Sequence, residues 1–293
     1  AILFKNVNLA TMDGSFSDIG IVRNQDVAIR HGKIEAINTN LTSEEFETVV
    51  AGNGRWLLPG FIDAHTHLVF GGHRADEFRK RLNGESYQSI AEQGGGIKKS
   101  VKLTRAASLT SLIEQAERRL KRLLSEGVTT VEIKSGYGAD LDTEIKMLKV
   151  AKALAEKWAV NISPTFLGAH TLPPDSAITA DEYISQVCDI MLPTIASDNL
   201  ANSIDVFCES IAFTPKQCER VFQSAQRHGF AIKAHVEQLS DMGGAVMAAK
   251  YGALSVDHIE YLNPNDVPQI KQAGCVATLL PGAYYYLNET QRP

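Results

Sequence analysis

Cysteine is scarce and unpatterned: Cys188, Cys208, Cys218 and Cys275 are the four in 293 residues, and no two form a C-x-x-C pair. A disulfide framework is excluded, leaving reduced, buried thiols as the reading. Positive charge is also short. The 29 Lys and Arg face 34 Asp and Glu, for a net charge of −5, so nothing is left over to neutralise a phosphate backbone and no nucleic-acid partner is expected. Long apolar runs are missing too. The most apolar stretch, 276–287, is broken by Pro281 and Gly282 and falls short of the ~20 residues that a bilayer crossing needs, so no membrane span is expected. The opening Ala1-Ile2-Leu3-Phe4-Lys5-Asn6 lacks the basic flank and apolar core of a secretory signal, which points to the cytoplasm. What remains, 44% hydrophobic and 22% charged with 22 Gly and 10 Pro, is the composition of a globular protein, neither disordered nor collagenous. A chain of this length accommodates one large α/β domain with a small appendage.

Residues 1–51 alternate short β-prone runs (2–9, 26–29, 33–37 and 48–51) with turn signals at Asp13-Gly14 and His31-Gly32-Lys33. They predict a small antiparallel unit. In the second part, 52–293, the texture changes after Leu58-Pro59-Gly60. Strands are expected at 61–65, 129–133, 161–166, 203–208, 230–235, 254–258 and 275–279. Helices are expected between them at 107–125, 142–158, 181–194, 215–228, 241–251 and 265–273. Leu112, Ile113, Ala116, Leu120, Leu123 and Leu124 recur at helical spacing and define one apolar face. Such alternation predicts right-handed βαβ units around a parallel sheet. The count is one strand short of a (β/α)8 barrel of the TIM type, whose eighth strand is expected beyond Pro293, making this the N-terminal portion of a longer protein.

Histidines carry the chemistry. His65 and His67 form an H-x-H at the end of the first barrel strand, where residues two apart point the same way and both imidazoles can reach one ion. His235 and His258 close two later strands, and His170 follows a third. Strand ends on one side of a barrel converge on one site. Neutral imidazoles with an open coordination position suit one Zn2+ or Fe2+ better than Mg2+, and such an ion activates water and polarises a carbonyl.

The combination of Leu58-Pro59-Gly60-Phe61-Ile62-Asp63-Ala64-His65-Thr66-His67 with these strand-end histidines resembles the amidohydrolase superfamily. Segments such as Gly71-Gly72-His73-Arg74, Lys134-Ser135-Gly136-Tyr137-Gly138 and Leu167-Gly168-Ala169-His170-Thr171-Leu172-Pro173-Pro174 resemble, more narrowly, the imidazolonepropionase family. The resemblance runs along essentially the whole chain. It implies a metal-dependent hydrolase barrel at 52–293 and, at 1–51, the N-terminal part of a small β-sandwich. The implied reaction is hydrolysis of 4-imidazolone-5-propanoate to N-formimidoyl-L-glutamate in histidine degradation, with one divalent metal ion, Zn or Fe, per subunit of a homodimer.

Site residues follow from the same resemblance, position by position. His65, His67 and His235 match metal ligands, with an aspartate expected beyond residue 293 as the fourth. Arg74 matches the group that binds the substrate carboxylate, which a guanidinium fork suits. Tyr137 and His170 match substrate contacts, and Tyr87 is a further candidate. Gln238 stands where some relatives carry glutamate; it can orient ring or water but cannot shuttle a proton, so proton handling is assigned to His258. Glu209 is read as supporting the ligands or facing substrate, and Glu237 as structural. Gly94-Gly95-Gly96-Ile97-Lys98-Lys99-Ser100 lacks phosphate-loop spacing and is expected to be a mobile loop near the substrate. Alternative readings are another cyclic-amide or amidine hydrolase of the superfamily, or a non-catalytic barrel that binds an imidazole-like ligand.

Overall fold

A computed structural model describes residues 1–14, 19–85, 89–90 and 93–293. They divide into two compact units, Ala1–Phe61 and Ile62–Pro293.

In the first unit β1 (Ile2–Ala10) lies at the centre of one five-stranded sheet. It pairs antiparallel with β2 (Ile21–Arg30), which pairs antiparallel with β3 (Lys33–Asn38). His31 and Gly32, both at positive φ, make the tight connection. The expectation of a purely antiparallel unit fails at the other edge. There β4 (Thr48–Ala51) and β5 (Trp56–Leu57) both run parallel to β1, because the chain leaves β3 through a short helical turn and crosses back to the free side of β1. With Trp56 and Leu57 paired to β1, the first compact unit runs to Phe61. Val7, Leu9 and Val27 form its small core. Among the described residues this unit holds one layer of the expected sandwich.

The second unit is built on a seven-stranded sheet in sequential order: β6 (Phe61–Asp63), β7 (Val128–Lys134), β8 (Asn161–Ala169), β9 (Ser203–Cys208), β10 (Ala231–Val236), β11 (Ser255–His258) and β12 (Val276–Thr278). The registers recorded for neighbours from β7 to β12 are all parallel. The inner strands β7 to β10 are rich in Val, Ile and Phe and are largely buried, as a sheet covered by helices requires, while β6 and β12 at the two ends are mostly exposed. Their connections include α1 (Ala75–Leu82), α2 (Ile97–Ala106), α3 (Leu109–Ser125), α4 (Leu141–Lys157), α5 (Ala180–Gln186), α6 (Leu192–Ser197), α7 (Pro215–Arg227), α8 (Gly244–Lys250) and α9 (Val267–Gln272). α10 (Pro281–Leu287) follows β12. α3 buries Leu112, Ala116 and Leu120 completely, the face its spacing predicts, and Ser108 caps its start. The glycine-rich segment at 94–96 does not continue as a loop: Gly96 is the N-cap of α2, which sinks Ser100, Val101 and Thr104. Parallel strands separated by helices place every strand's C-terminal end on one side, and the candidate site lies there.

Candidate active site

The polar site starts inside the sheet. Glu132 and Lys134 on β7, Asp205 on β9, Lys233 on β10 and Asp257 on β11 are all buried. Neighbouring strands hold them in register, Lys134 opposite Thr165, His235 opposite Asp257. Lys134 Nζ lies 2.6 Å from Asp205, 2.8 Å from Glu132 and 3.6 Å from Asp257. Lys233 pairs with Glu132 at 2.9 Å and donates to the Ala64 carbonyl. Charges this deep persist only when paired. Burial alone would lower the Lys134 ammonium, but the three surrounding carboxylates reverse that and hold it above its ordinary range.

This layer carries the histidines. Asp257 Oδ2 lies 2.6 Å from His65 Nδ1, and Asp205 Oδ1 lies 3.1 Å from His235 Nδ1. A carboxylate at Nδ1 fixes the proton there and turns Nε2, with its lone pair, the other way. His65 Nε2 is buried and lacks a hydrogen-bond partner among the described residues, as are His67 Nδ1 and His258 Nδ1. Nε2 of His67 and Nε2 of His235 stand 3.2 Å apart. Two nitrogens each ~2.0–2.1 Å from one tetrahedral ion sit roughly 3.4 Å apart, so this spacing fits a shared ligand. His65, His235 and His258 each bring one nitrogen within 4.8 Å of the others. A second set meeting that distance, His65, Glu132 and Asp257, already has the Lys134 and Lys233 ammoniums against Glu132.

Burial and the crowding of like groups hold His67 and His235 well below the usual imidazole range. Burial lowers His65 as well, against the opposing pull of its bond to Asp257. The three are therefore neutral, the form that coordinates metal. For the Asp257 carboxyl, burial raises the pKa, and the His65 bond with the Lys134 charge more than offsets it, leaving it below the usual carboxylate range.

The histidines open into a cavity of 490 Å3, also lined by Arg74, Tyr137, His170 and Gln238. That is ample for a small substrate. Arg74, at the N-cap of α1, is half-buried, and no ion pair or hydrogen bond of its guanidinium occurs among the described residues. His170 stacks on His67 with ring centres 5.4 Å apart and donates from Nδ1 to the Gly136 carbonyl at 2.8 Å. Burial pushes its pKa down to about 4, so it is neutral and its Nε2 is an acceptor. Tyr137 packs beside this pair, its ring centre 5.6 Å from that of His67 and 5.4 Å from that of His170. Tyr87 lies outside the described residues. Glu209 spends its oxygens on the backbone N–H groups of Ser210, Leu239 and Ser240 and the Ser240 hydroxyl, holding the loop that presents Gln238. Glu237 turns away to accept from Met242, Gly244 and Ala245 at the start of α8.

Sequence reasoning thus collects its histidines, Arg74, Tyr137 and Gln238 in one cavity and misses the charged layer beneath them. A signal was there. Glu132 and Lys134, Lys233 and His235, and Ser255 and Asp257 are pairs two apart within otherwise apolar strands, which puts each pair on one face of the sheet.

Residues 56–282 match the amidohydrolase family. The imidazolonepropionase of Hahella chejuensis is 51% identical over 291 residues, covering 98% of this chain and 72% of that protein. The imidazolonepropionase of Klebsiella pneumoniae is 49% identical over 293 residues, covering 100% of this chain and 72% of its own. Among solved structures, a triazine hydrolase from Arthrobacter aurescens superposes with a TM-score of 0.68 at 17% identity, covering 100% of this chain and 68% of that one. A guanine deaminase from C. acetobutylicum gives 0.64 at 15%, covering 98% and 69%. The barrel-type architecture is therefore that of the amidohydrolases, and at half-identity over nearly all its length the chain belongs to the amidohydrolase family, among the imidazolonepropionases.

Proposed function

We propose that this chain hydrolyses the cyclic amide of 4-imidazolone-5-propanoate to N-formimidoyl-L-glutamate. One observation carries the reading: a single cavity joins a guanidinium without an anionic partner among the described residues to a cluster of neutral imidazoles. Such a site suits a ligand with a carboxylate at one end and a polar ring at the other. The relatives' name, imidazolonepropionase, supports the same substrate.

Amidohydrolases depend on metal, and this reading assigns one divalent ion, Zn or Fe, to His65, His67 and His235; His67 meets His235 at 3.2 Å, while His65 and His235 cluster with His258. When bound, the ion supplies an acidified water and polarises the ring carbonyl. The chain's own residues do the rest. Asp257 and Asp205 hold the Nδ1 protons of His65 and His235, keeping Nε2 free. Arg74 takes the propanoate in a bidentate bond. His170, protonated at Nδ1 by its bond to Gly136, accepts a ring N–H at Nε2. Gln238 orients ring or water by hydrogen bonding. His258, whose Nδ1 is buried with Glu260 Oε1 3.9 Å away, relays the proton from water to the departing ring nitrogen as the C–N bond breaks. The accompanying reading is a cytoplasmic homodimer acting on a small molecule; no helix among the described residues is long and apolar enough to cross a membrane.

The test is product identification with a panel of cyclic amides. N-formimidoyl-L-glutamate formed one for one from 4-imidazolone-5-propanoate, with cyclic amides lacking a carboxylate turned over far more slowly, supports the proposal. Preference for a ring without the carboxylate overturns it in favour of another amidohydrolase reaction.

A further inference from the structure

The loop that carries Tyr137 into the cavity is gripped on both its donor and its acceptor groups. Glu144, fully buried in the first turn of α4, accepts the backbone N–H groups of Gly136 at 2.9 Å, Gly138 at 2.7 Å and Ala139 at 3.2 Å. The Ser135 hydroxyl, next to Gly136, accepts Leu167 N–H on β8, the strand that leads to His170. On the acceptor side, Arg105 at the end of α2 donates to the carbonyls of Gly138 at 2.7 Å and Ala139 at 3.0 Å. It is anchored in turn by Asp140 and Asp175.

The backbone held this way is one that a free loop avoids. Gly136 has φ +107° and Ala139 φ +52°, the second in a region unfavourable for a residue with a β-carbon. A Cβ at Gly136 would sit 2.9 Å from His170 Nδ1. The carbonyl of this same Gly136 accepts the His170 Nδ1 proton. One carboxylate therefore governs where the Tyr137 ring sits and which nitrogen of His170 faces the cavity.

We propose that Glu144, with Arg105 as its counterpart, is a positioning residue that preorganises Tyr137 and the His170 tautomer for recognition of the substrate ring. The proposal rests on the substrate reading above. It makes ring binding, not metal binding, the property these two residues control.

Glu144→Gln keeps the shape but turns an amide N–H2 toward backbone N–H groups; Arg105→Gln loosens the same loop from its carbonyls. In both variants KM for 4-imidazolone-5-propanoate should rise about tenfold or more, with kcat and metal content within about threefold of the parent. The His170 Nδ1–H signal in 15N-edited NMR should shift or vanish, and the amides of Gly136, Gly138 and Ala139 should lose exchange protection. Unchanged KM and an unchanged His170 signal in Glu144→Gln overturn the proposal, and so does a KM rise matched by metal loss. Should the parent protein fail to turn this substrate over, the functional reading fails separately, while the His170 signal and the three amides still decide the clamp.

Discussion

Asp257 is fully buried and does not line the cavity, yet its removal should weaken metal binding. Its Oδ2 lies 2.6 Å from His65 Nδ1, and its Oδ1 accepts the Ser255 hydroxyl at 2.6 Å. Asp257→Ala removes the acceptor that fixes the His65 proton on Nδ1, so the ring is free to carry it on Nε2, the atom meant for the ion. Asp257→Asn can still offer an oxygen to Nδ1 but not the charge that makes the ligand basic. Partners of this kind change metal affinity by about 10–100-fold, or roughly 1.4–2.7 kcal/mol. The asparagine variant should fall near the lower figure and the alanine variant near the upper. The fold should survive, because Lys134 keeps Asp205 at 2.6 Å and Glu132 at 2.8 Å and so is not left as an unpaired buried charge. Ser255→Ala leaves the carboxylate in place and should shift affinity by about threefold at most. The assay is competition for Zn2+ against a chromogenic chelator, with circular dichroism on the same samples. An alanine variant that binds metal as tightly as the parent refutes the reasoning.

Three further outcomes follow from the geometry. Arg74→Ala should raise KM by about 50-fold, the worth of a charge-assisted bidentate bond, with metal content unchanged and partial recovery in Arg74→Lys; steady-state kinetics with metal analysis checks both. His170, whose pKa is pushed down to about 4, stays neutral in the folded chain while the unfolded chain takes up a proton below about 6.5. Its contribution is thus fully present above that pH and is lost as pH falls toward 4, by up to about 3 kcal/mol; urea unfolding at pH 7 and pH 5 should show a shallower pH dependence in His170→Gln, and equal slopes would count against this. Leu120→Ala, in the fully buried face of α3, should cost about 3 kcal/mol of stability without altering metal stoichiometry, read by denaturant unfolding.

The strands of the second unit were legible as β-branched or aromatic runs bounded by turn residues, and burial of the inner strands leaves little else for such runs to be. Histidines stood out at their ends for the same reason, being polar groups where an apolar run stops. The charged layer was not legible in the same way. Lys134 or Glu132 taken singly reads as surface, and only the assembled sheet, with β8, β9 and β11 brought round to β7, shows that each has a partner. The parallel pairing of β4 and β5 with β1 depends on a crossover that no local pattern specifies. α2 was hidden behind three consecutive glycines, whose last supplies a positive-φ cap for a helix. Glu144 looks in sequence like any acidic residue in a first helical turn. Its role emerges only once the loop of Gly136 and Gly138 folds over it.

The central claim is tested most directly by adding freshly made 4-imidazolone-5-propanoate to the metal-loaded protein and following loss of the imidazolone absorbance. The account predicts turnover that a chelator abolishes and that Zn2+ or Fe2+ restores. Absence of turnover with one equivalent of metal bound would contradict it.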